Sequence, residues 1–375
     1  MLAYIVMRVV LLAGILALGV FLAILSAGIF PYQWGDSGRV GGEESAGDIL
    51  DDSKALRAYL KEFGVRKTMQ RLSTLATVEE SCHWVAHDAG EIGLELYSDS
   101  VFRECSDDCQ SGCYHGAIAA YFKERGTADF STNLRRVCSD ELNDFVRLQC
   151  FHGIGHGLLA WANYDLPEAL RGCDLLPKNR SSCWVGVFME NAAAASPAEA
   201  AGEPERHVSE YLSDDPLYPC TAVGEKYRST CYFMQTTRMA RMFSDDLSRV
   251  VGACLTAPTE YRRSCFESMG RDVGTMPLGD PRGAIEKCGF APQGVYRTAC
   301  LVGVAEDVFW DPSGQDAALE FCGALSEESE KLTCYRRIAI RASRIFSQDS
   351  KYLASFCAKF HPEYALLCVE RMRPL

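Results

Sequence analysis

The feature that most narrows what this chain can become is its ladder of cysteines. Those at 82, 113, 150, 183, 231, 265, 300, 334 and 368 are separated by 31, 37, 33, 48, 34, 35, 34 and 34 residues, so one unit recurs through the body. Most have an upstream partner: Cys138/Cys150, Cys173/Cys183, Cys220/Cys231, Cys254/Cys265, Cys288/Cys300, Cys322/Cys334 and Cys357/Cys368 stand 10 to 12 residues apart. The text before the second member also repeats, as in Tyr227-Arg228-Ser229-Thr230-Cys231, Tyr261-Arg262-Arg263-Ser264-Cys265 and Tyr296-Arg297-Thr298-Ala299-Cys300. A reducing cytosol would leave eighteen cysteines as free thiols. Their even number and spacing therefore predict disulfides in an oxidising compartment, periplasmic or extracellular.

Each unit reads as two helices. In Asp165-Leu166-Pro167-Glu168 the aspartate can cap, proline is tolerated in the first turn, and glutamate stands three residues after the cap. A short helix ending near Cys173 and a second starting around Cys183 follow, clipped together by the disulfide. Extended alternation and Asn-Gly hairpin turns are missing, so the fold class is all-α. The first units differ, because Cys105, Cys109 and Cys113 are spaced by four. Cys105/Cys113 is expected as the local clip and Cys82/Cys109 as a bridge between units. A thiolate metal cluster with His115 is the competing arrangement, which an oxidising compartment disfavours.

Paired helices of this period with a cysteine pair in each unit resemble the exported, cysteine-rich branch of tetratricopeptide-like helical repeats. The resemblance rests on period and cysteines and covers roughly residues 53 to 375. It implies a solenoid with a concave face for a protein or peptide partner, and no enzyme activity.

Five segments follow in order. Residues 1–30 contain 22 uncharged positions from Val9 to Phe30, enough for a transmembrane anchor, with a cleaved signal as the alternative. Arg8 before it and acidic residues after it place the body outside the cytoplasm, held to the membrane by this helix. Residues 31–52 read as a flexible acidic stalk. Residues 53–191 are histidine-containing helical repeats. Residues 192–219 form an inserted loop that accounts for the interval of 48, with His207 expected in solvent. Residues 220–375 are C-terminal repeats lacking those histidines. A formal net charge of −12 without a basic stripe excludes a general nucleic-acid binder.

Five of the seven histidines fall in Cys82-His83-Trp84-Val85-Ala86-His87-Asp88, Cys113-Tyr114-His115-Gly116 and Cys150-Phe151-His152-Gly153-Ile154-Gly155-His156-Gly157. On a helix, His152 and His156 share a face, as do His83 and His87, with Cβ atoms about 5–6 Å apart. His115, His152 and His156 point away from their cysteine, whereas His83 and His87 are rotated relative to them. These spacings predict a transition-metal site of zinc, copper or iron held by His83, His87, His115, His152 and His156. Asp88, Glu91 and Glu190 are the candidate carboxylates, as ligands or as acceptors of a proton from metal-bound water. Glu190 enters because Met189-Glu190 in the fourth unit aligns with His156-Gly157. Gly116, Gly153, Gly155 and Gly157 each cost about 1 kcal/mol of helix propensity. They make sense where another backbone or a ligand comes close. The expected function is a metal-dependent enzyme, hydrolytic or redox; the alternative is a non-enzymatic interaction scaffold of the cell envelope whose histidines are structural.

Overall fold

The computed structural model describes residues 48–50, 52–75, 79–106, 108–109, 112–125, 138, 144–176, 178–197, 199, 207–274, 281–310, 314–346 and 349–370, with the side chains of 48, 79–84, 144–146 and 310 left aside. The expected anchor, most of the stalk, and the side chains of Cys82 and His83 lie outside the described residues. Among the described residues the chain is helical, its one β pairing being an isolated bridge between Ala195 and Val208. No helix there is long and apolar enough to cross a membrane.

The helices run α1 (Ser53–Leu75), α2 (Glu79–Tyr97), α3 (Val101–Glu104), α4 (Gly112–Arg125), α5 (Asp144–Trp161), α6 (Leu166–Asp174), α7 (Arg180–Ala193), α8 (Glu225–Met234) and α9 (Thr236–Met242). The second half continues with α10 (Leu247–Thr256), α11 (Thr259–Gly274), α12 (Pro281–Cys288), α13 (Val295–Trp310), α14 (Gln315–Ala324), α15 (Glu328–Ile345), α16 (Ser350–Cys357) and α17 (Ala365–Val369). The short helices α6, α10 and α16 begin on capping aspartates: Asp165 accepts from the Glu168 N–H at 2.9 Å, Asp246 from Ser248 at 3.0 Å and Asp349 from Tyr352 at 2.8 Å.

Helices of eight to ten residues are marginal alone. Here disulfides clip them to the next helix. Eight such bonds form: Cys105–Cys113, Cys138–Cys150, Cys173–Cys183, Cys220–Cys231, Cys254–Cys265, Cys288–Cys300, Cys322–Cys334 and Cys357–Cys368. Closing each short loop is worth about 3 kcal/mol on the chain-entropy account. Cys109 is also disulfide-bonded, and Cys82, its expected partner, is outside the described side chains. With no free thiol among the described cysteines, a thiolate cluster at His115 has no ligands to offer.

The longer helices pack in chain order, α2 on α4, α4 on α5, α5 on α7, α7 on α8, α8 on α11, α11 on α13 and α13 on α15; α15 also returns against α5. One buried apolar cluster extends from Ile49 to Met234 and takes in Ala257, a second extends from Met239 to Cys368. Ile49, in the 3₁₀ turn Asp48–Leu50, is 1% exposed, so the stalk ends earlier than the sequence suggests. Its apolar pair Ile49 and Leu50 has a core to enter.

Glycines set the closest approaches. A β-carbon on Gly116 would lie 1.8 Å from the His87 carbonyl oxygen and one on Gly90 2.1 Å from that of Cys113, so α2 and α4 touch backbone to backbone. The α5/α7 pair repeats the device: Gly155 faces the Cys183 carbonyl and Gly186 the His152 carbonyl, each leaving only 2.0 Å for a β-carbon. At Gly116 and Gly155 what comes close is a neighbouring backbone, and at Gly153 and Gly157 it is the side chains of Tyr114 and Ile118.

After α7 the chain folds back over the helix end. Ala195 N–H donates to the His207 carbonyl at 2.8 Å, Ser209 N–H to Ala195 at 2.9 Å, and the Ser209 hydroxyl to Asn191 Oδ1 at 2.6 Å. Arg238 Nη1 donates to both oxygens of Glu199, at 2.7 and 2.8 Å. Burial opposes ionisation of Glu199, but hydrogen bonds from Arg238 and Ser196 bring its carboxyl down to about 2 from 4.5. A depressed acid contributes stability above its unfolded pKa, and that contribution disappears as pH falls from about 4.5 towards 2. Because Glu199 is partly exposed, Glu199→Gln is expected to cost no more than about 1 kcal/mol at pH 7. Urea denaturation at pH 7 and pH 3 checks this: the deficit should narrow at pH 3, and an equal deficit at both would remove the charge from the explanation.

Candidate metal centre

Helices α4 and α5, the turn after α5 and the loop after α7 bring polar side chains to Glu190, which is 5% exposed near the end of α7. His115, 1% exposed on α4, places Nε2 3.4 Å from Glu190 Oε2; His156, on α5, places Nδ1 3.0 Å from the same oxygen. The two rings stack with centroids 4.6 Å apart. His115, His156 and Glu190 each offer one ligand atom within 4.8 Å of the others, so this buried group can hold a metal ion. Metal–nitrogen and metal–oxygen bonds of about 2.0–2.2 Å at tetrahedral angles put neighbouring donors roughly 3.3–3.6 Å apart. The His115 separation of 3.4 Å from Glu190 Oε2 falls there, and the His156 separation of 3.0 Å is that of a hydrogen bond.

Each of the three has a further partner behind it. His87 Nε2 lies 2.9 Å from His115 Nδ1, and His152 Nε2 lies 2.9 Å from His156 Nε2. Tyr164 Oη donates to Glu190 Oε1 at 2.5 Å and accepts from His207 Nδ1, which itself stands 3.5 Å from Oε1. If an ion takes His115 Nε2, His156 Nδ1 and Glu190 Oε2, then His115 Nδ1–H donates to His87 and His156 Nε2–H to His152. Such outer partners set a ligating imidazole's tautomer and raise its basicity. Without an ion, His156 Nδ1 donates to the carboxylate at 3.0 Å, while His115 Nε2 stands 3.4 Å from it in an ion-pair contact.

The local electrostatics agree with a charged carboxylate at the centre. Burial by itself raises the Glu190 pKa, but the His115 charge and hydrogen bonds from His156 and His207 outweigh it, and the carboxyl sits well below its ordinary range. Burial, then the Glu190 charge and hydrogen bond, push the Tyr164 phenol well above 10, so it remains a donor. Burial, then the charges of His156 and Arg271, hold His152 well below 6.5. His152 is therefore a neutral acceptor at physiological pH.

The glycine contacts explain why the rings meet. The carbonyls of His87 and His152 are the very atoms pressed on Gly116 and Gly186, so each histidine-bearing turn is seated on the next helix. Tyr164 follows α5 in a left-handed turn, with φ 50° at Asn163 and 63° at Tyr164, which swings the ring back under the helix end. Beyond α8 the same face carries ion pairs: Glu267 and Arg271, two and six residues after Cys265 as His152 and His156 are after Cys150, bond Arg337 at 2.8 Å and Asp272 at 2.6 Å. The Cys265 unit thus fills this register with ion pairs, while the Cys300 unit carries Val302 and Glu306 there.

Of the residues expected from sequence, His87, His115, His152, His156 and Glu190 lie together; the side chain of His83 lies outside the described residues. Asp88 and Glu91 are exposed on α2. The expectation that His207 sits in solvent is overturned, because the Ala195–Val208 bridge folds its loop back and carries the ring onto Tyr164 and Glu190. The rotation expected for His87 does not keep it from His115, since Gly90 against Cys113 sets the phase of α2. Tyr164 had no signal beyond its place after a helix. Comparison of the chain with protein-family models, curated proteins and solved structures found no match.

Proposed function

We propose that the chain is an exported metalloprotein that holds one divalent transition ion on His115 Nε2, His156 Nδ1 and Glu190 Oε2. The observation that carries this reading is that all three donors have an outer partner: His87, His152, and Tyr164 with His207. Two imidazoles and one carboxylate suit zinc or ferrous iron, and leave coordination positions for water or substrate. The ion would supply Lewis acidity or redox chemistry. His152, neutral and bonded to His156, holds that ligand's tautomer; the proton-accepting role that the sequence offered to Asp88, Glu91 and Glu190 does not pass to it. The disulfides point to an oxidising, extracytoplasmic environment for the body. Anchoring by residues 1–30, and a solenoid whose concave face takes a protein or peptide, belong to the same proposal.

A second reading, a non-enzymatic envelope scaffold with structural histidines, is favoured by one observation: imidazole–imidazole and imidazole–carboxylate contacts already stand at hydrogen-bond distance. Elemental analysis of the untagged full-length chain separates the two. About one ion per chain, lost in a folded His115→Ala/His156→Ala variant, is the expected result for a three-ligand site with an open position. A metal-free wild type that cannot be loaded leaves the scaffold.

A further inference from the structure

A cleft of about 720 Å³ opens beside the cluster, lined by Asn163, Tyr164, Asp165, Glu168, His207 and Glu210 among others. It shares a wall with the centre, because Tyr164 and His207 line it and also bond Glu190. The His207 side chain is 27% exposed, while that of Glu190 behind it is 7% exposed. Asp165, Glu168 and Glu210 are exposed acids, and no lysine or arginine is among the lining residues.

We propose that this cleft is the route by which a divalent cation reaches His115, His156 and Glu190. The proposal rests on the metal reading above and adds how the ion arrives. A cleft lined by one sign of charge focuses the field and raises association of an oppositely charged ion by about 10- to 1,000-fold. Glu168 and Glu210 gather the cation at the rim, and the Tyr164–His207 contact is the last barrier. The Tyr164–His207 pair, both members of which contact Glu190 Oε1, must part before the ion reaches the carboxylate.

Stopped-flow absorbance with Co²⁺ on the metal-free, full-length chain tests this. At low salt Glu168→Gln/Glu210→Gln is expected to slow uptake by about tenfold. At about 0.5 M salt most of that difference should vanish. The final Co²⁺ spectrum and stoichiometry should match wild type, because neither glutamate is a ligand. His207→Ala should take up Co²⁺, and lose it to chelator, several-fold faster. Equal low-salt rates in wild type and the double variant, with Co²⁺ bound normally by both, overturn the route and leave the metal reading standing. A wild type that takes up no Co²⁺ overturns both.

Discussion

Glu190→Gln is expected to leave a folded chain that no longer retains its ion. Glutamine keeps the volume at a position that is 5% exposed and removes the negative charge on which His115, His156, Tyr164 and His207 converge. Loss of even an outer partner typically weakens metal binding by about 10- to 100-fold, so loss of the one anionic ligand should exceed a hundredfold. The measurement is ion content by elemental analysis together with a competition titration against a chelator. Thermal unfolding of the metal-free proteins separates this from damage to the fold. Removing one partner of a buried charged network costs about 3–5 kcal/mol, so the metal-free variant should melt lower than metal-free wild type, and the competition titration is run well below both midpoints. A variant that holds its ion as tightly as wild type would remove Glu190 from the ligand set.

Gly186→Ala should have the second-largest effect, and on both stability and binding. A β-carbon there would lie 2.0 Å from the His152 carbonyl oxygen, and backbone cannot rotate away as a side-chain tip can. The α5/α7 seam must open by more than an ångström. Overpacking of this kind costs about 1–3 kcal/mol. The same shift carries His152 and His156 away from Glu190, so ion affinity falls along with the unfolding midpoint. Gly252→Ala is the internal contrast: it lies within α10 with nothing within 4 Å of the added carbon, and should stabilise by about 0.4–1 kcal/mol. If both alanines behave alike, the close approach at Gly186 is not what holds α5 to α7.

Much of this was legible in the chain because its information is local. The spacing of Cys173 and Cys183 names the clip, Asp165 with Glu168 names a helix start, and four-residue spacing puts His152 and His156 on one face. The alignment of Glu190 with Gly157 placed a carboxylate in the right register. What could not be read is set between distant segments. Helical phase gives the face of one helix, but the angle between two helices is decided where Gly90 and Gly116 let backbones touch. His207 reaches Glu190 through a bridge from Ala195 to Val208, and Tyr164 through two left-handed residues. Neither leaves a periodic trace. Asp88 and Glu91 looked equivalent to Glu190 by composition alone, and their side of α2 faces water.

From Cys138 onward every bond joins cysteines that are consecutive along the chain. During export each partner therefore emerges within about a dozen residues of the last, and a thiol oxidase acting vectorially meets the correct pair before any competitor appears. Among the described bonds Cys105–Cys113 alone straddles another cysteine, Cys109, which is itself disulfide-bonded. Any need for reshuffling by an isomerase is confined to that first stretch, on which the His115 helix is built.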